Sequence, residues 1–266
     1  MSGNHGPGPR PQADKPLRAR KEKLGILKAG GPPRALASAY GSYADMFRKL
    51  LGEERYHYIE FDVEQGELPR HADHCPAYLI TGSASDAYGA SPWISNLKRF
   101  LNAAKGNAAF VGICFGHQVM AEAFGGKVAR SPKGWGMGNH RYVIVRQQPW
   151  AGRTTEITLT ASHQDQVVEL PPASEVVAGN AFCPLGFIAY QDQPAISLQL
   201  HPEFETNFAI ALAEGRRGRG IRDEDIDRAI SSLRCPNDRE LVAGWINQFL
   251  IRTRTNVPMP RRGTAC

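Results

Sequence analysis

The sequence predicts an α/β fold, with an open, mostly parallel β-sheet, helices on both faces, and antiparallel strands added at one edge. Strand and helix patterns alternate over residues 24–126. This succession is typical of parallel sheets, because parallel neighbours need a crossover connection that is usually a helix. After residue 126, short strands follow one another with little helix between them, which favours antiparallel additions to one end of the sheet.

The first half of the chain contains four predicted strands and three predicted helices. The strands cover residues 24–30, 56–63, 77–83 and 108–113, and the helices cover 38–52, 91–106 and 115–125. The third strand, AYLITGS, is apolar on both faces, as a central parallel strand is expected to be. The second helix has Pro92 in its first turn and Gly106 at its end, which are typical start and stop residues.

The second half begins with five short strands and ends with three helices. The strands cover residues 140–146, 156–162, 174–180, 186–191 and 195–200, and the helices cover 206–213, 223–233 and 238–252. An apolar stripe on the last helix predicts that it packs on the core. The segment 214–227, EGRRGRGIRDEDID, is broken by glycines and highly charged, so we interpret it as a surface loop with a helix start inside it.

The net charge of +6 over 266 residues is concentrated at the two ends. Residues 1–23 carry a net charge of +4 and residues 252–266 another +4, which leaves the body with −2. We therefore expect a disordered basic tail over 1–23, a single domain over 24–252 and a flexible basic tail over 253–266. Because the basic excess does not lie on a folded face, nucleic-acid binding is not expected.

Composition also limits the setting and the cofactors. No run of about 18 apolar residues is present, so no membrane association is expected, and no secretion signal follows the basic N-terminus. The five cysteines are scattered without a disulfide or zinc pattern, which favours the cytoplasm and predicts no metal site. The glycine pairs at 30–31 and 125–126 fit no phosphate-binding fingerprint, so no cofactor is expected.

Cys114 stands where an apolar strand must turn abruptly into a helix, in the stretch FVGICFGHQ. Gly112 and Gly116 keep neighbouring atoms away, so the thiol can occupy the apex of a strained strand-to-helix elbow, as in nucleophile elbows. The positive end of the helix dipole favours a thiolate there, and the N–H of Phe115 can meet an oxyanion. A buried packing cysteine in a tight turn is the alternative.

A histidine and a glutamate follow another apolar strand, in the stretch HPEF. Pro202 keeps His201 extended, and residues two apart in an extended segment project to the same side. Glu203 can then reach the imidazole ring, orient it and raise its basicity, so that the other ring nitrogen accepts a proton from sulfur. Together with Cys114, this pair predicts a Cys-His-Glu catalytic triad.

GICFGHQ with a downstream HPEF resembles the class I, or triad, glutamine amidotransferases over about residues 24–213. The resemblance implies a flavodoxin-like fold and hydrolysis of the side-chain amide of glutamine through a γ-glutamyl thioester. It implies that Cys114 is the nucleophile, that His201 is the general base and acid, and that Glu203 orients the histidine.

The resemblance also implies an oxyanion hole and a glutamyl-binding site. The N–H groups of Ser83 and Phe115 would form the oxyanion hole. The stretch SHQDQV, residues 162–167, resembles the S-H-x-D-x-V loop of the family. The residues expected to hold the substrate are Gly82, Gln118, Ser162, Gln164 and Asp165.

Other histidines and cysteines receive non-catalytic interpretations. His163 competes with His201 as the catalytic base, but it is expected to fix the loop around it, because His201 has the adjacent acid Glu203. His117 is expected to face away from the cysteine. Surface positions are expected for His71, His74 and His140, and no catalytic role is expected for Cys75, Cys183, Cys235 and Cys266.

The loop TGSASDAYGASPWI departs from the Gly-Gly-Pro form usual in GMP synthetase. It resembles stand-alone members of the family, including γ-glutamyl peptidases. Asp86, Tyr88 and Trp93 are candidates for a leaving-group pocket there. Packing on the following helix is the alternative for Tyr88 and Trp93, and it is favoured for Trp93.

Three functions therefore stay open. The favoured one is glutamine hydrolysis that releases ammonia to a separate synthase or acceptor subunit. The alternative is a peptidase or hydrolase acting on γ-glutamyl peptides or conjugates. A non-catalytic regulatory protein is the third hypothesis, and the intact Cys114, His201 and Glu203 weigh against it.

Overall fold

The structure is a computed structural model and describes residues 21–254. Its strands are β1 (Glu22–Lys28), β2 (Tyr56–Asp62), β3 (Ala77–Ile80), β4 (Ala109–Ile113), β5 (Lys127–Arg130), β6 (Gly136–Ile144), β7 (Glu156–His163), β8 (Asp165–Glu169), β9 (Ser174–Gly179), β10 (Phe187–Tyr190) and β11 (Ala195–Leu198). Its helices are α1 (Arg34–Tyr40), α2 (Tyr43–Leu51), α3 (Pro92–Ala104), α4 (Phe115–Ala123), α5 (Thr206–Glu214), α6 (Asp223–Leu233) and α7 (Arg239–Arg254).

Nine of these strands form one sheet, in the order β2-β1-β3-β4-β11-β10-β9-β6-β7. The first five neighbours in this order pair in parallel, and the remaining pairs are antiparallel. The predicted fold class is confirmed, because parallel strands β1 to β4 come from the alternating region of the sequence and antiparallel strands extend one side of the sheet. The expectation is wrong for β11, which was predicted as an antiparallel addition but pairs in parallel with β4. In the described part of the chain, β5 and β8 form a separate two-stranded sheet.

Helices cover both faces of the sheet because alternate strand residues point in opposite directions. On β3, Leu79 belongs to the core that contains the buried side chains of α2 and α7, such as Trp245. Tyr78 and Ile80 belong to the opposite core, which is formed with α3 and α4. A third apolar cluster joins α5 and α6 to Met46 on α2. This cluster holds the chain before and after the charged segment 214–227 against the body of the domain.

The predicted helix over residues 38–52 is wrong in its extent, because the chain forms α1 and α2 instead. Gly41 adopts a φ of 81° and ends α1. Ser42 then starts α2 with a capping box, in which its hydroxyl accepts from the Asp45 N–H at 3.1 Å. The Asp45 carboxylate accepts in return from the Ser42 N–H at 2.9 Å. A reciprocal cap of this kind satisfies two helix-end donors and favours a new start.

The predicted tails coincide largely with residues outside the described part of the chain, which are 1–20 and 255–266. Within the described residues, β1 begins at Glu22 and α7 reaches Arg254. No helix among residues 21–254 has the length and apolar character needed to cross a membrane.

Candidate active site

Cys114 lies between β4 and α4 in a strained conformation, with φ 52° and ψ −101°. Its N–H donates to the carbonyl of Leu198 on the neighbouring strand at 2.9 Å. A Cβ on Gly112 would lie 2.6 Å from the Gly116 carbonyl oxygen, and a Cβ on Gly116 would lie 2.4 Å from the Ile80 carbonyl oxygen. Both positions therefore exclude any side chain, and the close packing holds the cysteine at the carboxyl end of a central strand.

His201 lies just beyond β11, at the same edge of the sheet. Its N–H donates to the carbonyl of Thr160 at 2.8 Å, which fixes the backbone. Its ring Nδ1 lies 2.8 Å from Glu203 Oε1, and the ring stacks on Phe204 with 4.0 Å between centroids and an interplanar angle of 8°. His201 and Glu203 are both buried. The imidazole is therefore held on one face and at one nitrogen.

The His201 ring and the Cys114 side chain both line one cavity. Burial alone would lower the pKa of His201, but Glu203 and then Cys114 outweigh it and raise the pKa of His201 to about 10. Gly82 lies beside both groups, since a Cβ there would be 3.2 Å from His201 Cε1 and 3.8 Å from Cys114 Cβ. The structure thus pairs His201 with Glu203 and places the Cys114 side chain beside them.

The two N–H groups expected to bind an oxyanion lie on either side of Cys114. Phe115 is the first residue of α4, so its N–H has no partner within the helix. The Thr81 hydroxyl accepts from the Ala29 N–H at 3.0 Å and donates to the Gly82 carbonyl at 3.1 Å. Because the peptide is planar and trans, fixing this carbonyl also fixes the opposite direction of the Ser83 N–H.

Two cavities meet at Cys114. The small cavity has a volume of about 290 Å³ and the large cavity about 570 Å³. The residues that line both are Ser83, Ala84, Cys114, Trp135, Ser162 and Arg216. If the substrate bond to be cleaved lies at the Cys114 sulfur, the two parts of the substrate on either side of that bond therefore lie in different cavities.

The small cavity is polar and carries both signs of charge. Gln118 and Asp165 lie in it, and the Gln118 amide donates to the Asp165 carbonyl at 2.9 Å. Burial, followed by the charge of Asp86, raises the pKa of the Asp165 carboxyl above its ordinary value. Arg130 donates to the Gln164 side chain at 2.7 Å.

The predicted substrate residues divide between the cavities. Gln118, Gln164 and Asp165 line the small cavity, Gly82 lines the large one with His201, and Ser162 lines both.

Two side chains proposed for a leaving-group pocket, Asp86 and Tyr88, line the small cavity beside Asp165. Trp93 packs on Phe115, with 5.4 Å between ring centroids.

Two further histidines near the site are buried without a carboxylate partner. His163 donates from Nδ1 to the Asp165 carbonyl at 3.1 Å, and His117 Nδ1 lies 2.8 Å from the Ser197 hydroxyl. Burial lowers the pKa of each to about 3. Both are therefore neutral near pH 7, and His163 supports the loop around Asp165.

The surface prediction is wrong for His140, which is half-buried with its ring edge against Phe182 at 5.3 Å. His71 and His74 are exposed as predicted.

The other described cysteines lack the environment of Cys114. Burial raises the pKa of Cys75 and of Cys183 to about 11, so both remain thiols at neutral pH. Cys235 is exposed. Cys266 lies outside the described residues.

Sequence reasoning missed Arg216, which reaches the site from the charged segment 214–227. Its Nη2 donates to the Ser162 hydroxyl at 3.1 Å, and its Cζ lies 3.8 Å from the centroid of the Trp135 ring. The run of arginines and glycines is typical of a solvated loop, so the sequence offered no signal for Arg216. Over residues 21–254, no group of three or more histidine, cysteine or acidic side chains is arranged to hold a metal ion.

Comparison with known proteins gives one family. Residues 39–209 match the family model of glutamine amidotransferase class-I. A glutamine amidotransferase-like protein of Schizosaccharomyces pombe is 30% identical over 246 residues, covering 86% of this chain and 98% of that protein. Gamma-glutamyl peptidase 4 of Arabidopsis thaliana is 32% identical, covering 74% of this chain and 81% of its own. The crystal structure of a glutamine amidotransferase from Thermotoga maritima superimposes with a TM-score of 0.67 at 19% identity, covering 89% of this chain and 99% of that one.

Proposed function

The chain belongs to the class I glutamine amidotransferase family, and we propose that it hydrolyses a γ-glutamyl amide bond through a thioester on Cys114. The observation that carries this proposal is the buried pair of His201 and Glu203, with 2.8 Å between Nδ1 and Oε1, next to the Cys114 side chain. A histidine fixed by a buried acid and in contact with a thiol has the arrangement that activates a sulfur nucleophile.

The proposed reaction has two halves. Cys114 sulfur attacks the γ-carbonyl carbon, its proton resides on His201, and the N–H groups of Ser83 and Phe115 stabilise the oxyanion. The carbon–nitrogen bond then breaks, and the leaving amine takes the proton from His201. Water, deprotonated by the same histidine, attacks the thioester, which releases glutamate and restores the thiol. Glu203 stabilises the imidazolium in both halves.

The small cavity suits the glutamyl part of the substrate. It presents the carboxylates of Asp86 and Asp165 together with the guanidinium of Arg130. An α-amino acid carries an ammonium and a carboxylate, so both charges find an opposite partner in this space.

The large cavity favours a γ-glutamyl peptide or conjugate as the substrate. Its volume of about 570 Å³ is typical of a pocket for a sizeable organic group, whereas ammonia needs almost no space. A relative that covers most of this chain is named as a gamma-glutamyl peptidase, which agrees with this choice.

Glutamine is the second candidate substrate, and family membership itself favours it. Ammonia would then pass to a separate synthase or acceptor subunit.

The test is hydrolysis of glutamine and of a panel of γ-glutamyl dipeptides by the full chain and by Cys114→Ser. We expect dipeptide cleavage to exceed glutamine hydrolysis in kcat/KM, and the substitution to lower both by about 10³-fold or more. Cys235→Ser is the matched control, because this exposed cysteine lies away from the site, and it should leave the rates unchanged. Full activity in Cys114→Ser, or cleavage of no γ-glutamyl compound, would contradict the proposal.

A further inference from the structure

The arginines of the segment 214–227 have two different environments. Arg217 pairs with Glu214 at 2.6 Å and also with Asp227, so its charge is compensated by its own segment. Arg216 and Arg219 instead line the large cavity. Within the described residues, no carboxylate lies at ion-pair distance from either of them. Two neighbouring cations on one cavity wall therefore lack a counter-charge from the protein.

Arg216 is held in place for a ligand. Its guanidinium stacks on Trp135 and donates once to Ser162, and its Nε has no hydrogen-bond partner within residues 21–254. Burial lowers the pKa of Arg216 despite the opposing effects of Tyr43 and Cys114. A partly buried cation with unused donors gains when an anion enters beside it, since the anion supplies the missing charge and hydrogen bonds.

The two cavities differ in the charge of their walls. The wall of the large cavity includes arginines and no aspartate or glutamate, whereas the small cavity includes Asp86, Asp165 and Arg130 and shares Arg216 with the large one. The rest of the large cavity is mainly apolar, with Leu36, Phe204, Leu212 and Ile221 among its lining residues. Its chemistry is suited to a group that is apolar along its length and anionic at one position.

We infer that Arg216 binds a carboxylate on the leaving group, so that the preferred substrate is a γ-glutamyl amide of an apolar amino acid or peptide. This inference rests on the proposed hydrolysis. Arg216 is a specificity-determining residue, and Arg219 supplies a second positive charge further along the same wall. The stack on Trp135 and the bond to Ser162 place the guanidinium beside both Cys114 and the large cavity.

The test compares γ-glutamyl-leucine with γ-glutamyl-leucinamide, which differ only in the leaving-group carboxylate. A hydrogen-bonded charge pair contributes about 1.5–3 kcal/mol, so the full chain should favour the acid by roughly 10- to 100-fold in kcat/KM. Arg216→Met should reduce this ratio to near one, and Arg216→Lys should retain part of it. Arg217→Met is the matched control and should keep the full ratio, since its charge pairs within the segment.

Two results would overturn the inference. One is an unchanged acid-to-amide ratio in Arg216→Met. The other concerns substrates whose glutamyl α-carboxylate is converted to an amide. If Arg216→Met loses discrimination only against these substrates, Arg216 binds the glutamyl group and not the leaving group.

Failure of the proposed hydrolysis can be distinguished from failure of this inference, because without that hydrolysis neither γ-glutamyl-leucine nor γ-glutamyl-leucinamide is cleaved. A binding experiment then decides the inference by itself, with glycyl-leucine and glycyl-leucinamide titrated calorimetrically into Cys114→Ala protein. Roughly tenfold tighter binding of the acid that disappears in the Arg216→Met double variant supports the carboxylate site. Equal binding of acid and amide contradicts it.

Discussion

At the scale of single residues, three buried histidines around the site show how the partner decides the charge. His201 faces the Glu203 carboxylate and Cys114, and its pKa is raised to about 10. His117 and His163 face a hydroxyl and a carbonyl, and burial lowers the pKa of both to about 3. The sequence predicted the pairing of His201 with Glu203 and a supporting role for His163, but it did not predict their charges. His163 also has an acidic residue two positions later, Asp165, which contacts the ring through its carbonyl.

Glu203→Gln should lower the pKa of His201, because burial lowers this pKa and the neutral glutamine amide supplies no negative charge to oppose it. The pKa is measured from the ring proton signals of His201 by NMR. The folded-state pKa lies above the ordinary 6.5, so the pair stabilises the fold fully below pH 6.5 and loses this effect as the pH rises through about 10. The stability difference between the two proteins should therefore shrink between pH 6.5 and 10. An unchanged His201 titration would contradict the pairing.

Some residues of the site were beyond prediction. Arg216 could not be assigned from the sequence because nothing in a charged, glycine-rich run specifies which arginine turns inward. The structure shows that Arg217 finds its acids on the same segment, whereas Arg216 stacks on Trp135, about 80 positions earlier in the chain. Contacts between residues so far apart in the chain produce no periodic pattern in the sequence.

At the scale of elements, the β4–α4 elbow is the feature on which the site depends. The strand is buried at every position, and the turn to the helix is completed with Cys114 at a positive φ. The role of the glycines around the elbow was predicted from the sequence, since only a residue without a side chain lets two backbone segments approach so closely. The break between α1 and α2 was missed, because helical periodicity continues on both sides of Gly41.

Gly116→Ala should destabilise the fold by about 1–3 kcal/mol and reduce activity, because the new Cβ meets the Ile80 backbone, which cannot move independently of the sheet. Chemical denaturation and kcat/KM measure the two effects. Gly244→Ala is the matched control, since its Cβ would meet no atom within 4 Å in α7. That change should stabilise the protein by about 0.5–1 kcal/mol. Equal behaviour of the two variants would contradict the role of the elbow.

At the scale of the whole molecule, the site forms where the parallel and antiparallel halves of the sheet meet. Cys114 and His201 follow the adjacent parallel strands β4 and β11, as expected for the carboxyl edge of an α/β sheet. Ser162 and His163 come from the antiparallel strand β7, and the chain after α5 covers the site with Arg216. Parallel strands β1 to β4 were predictable from alternating patterns, but the parallel pairing of β11 with β4 was not, because its segment lies among short consecutive strands. The small sheet of β5 and β8 and the cover after α5 were not, since short polar segments have no distinctive period.

The most direct test of the central claim is rapid-quench mass spectrometry of the full chain during turnover of a γ-glutamyl dipeptide. A γ-glutamyl thioester on the peptide that contains Cys114 is the predicted result, present in Cys235→Ser and absent in Cys114→Ser. Product formation without any adduct on Cys114 at every quench time would contradict the claim.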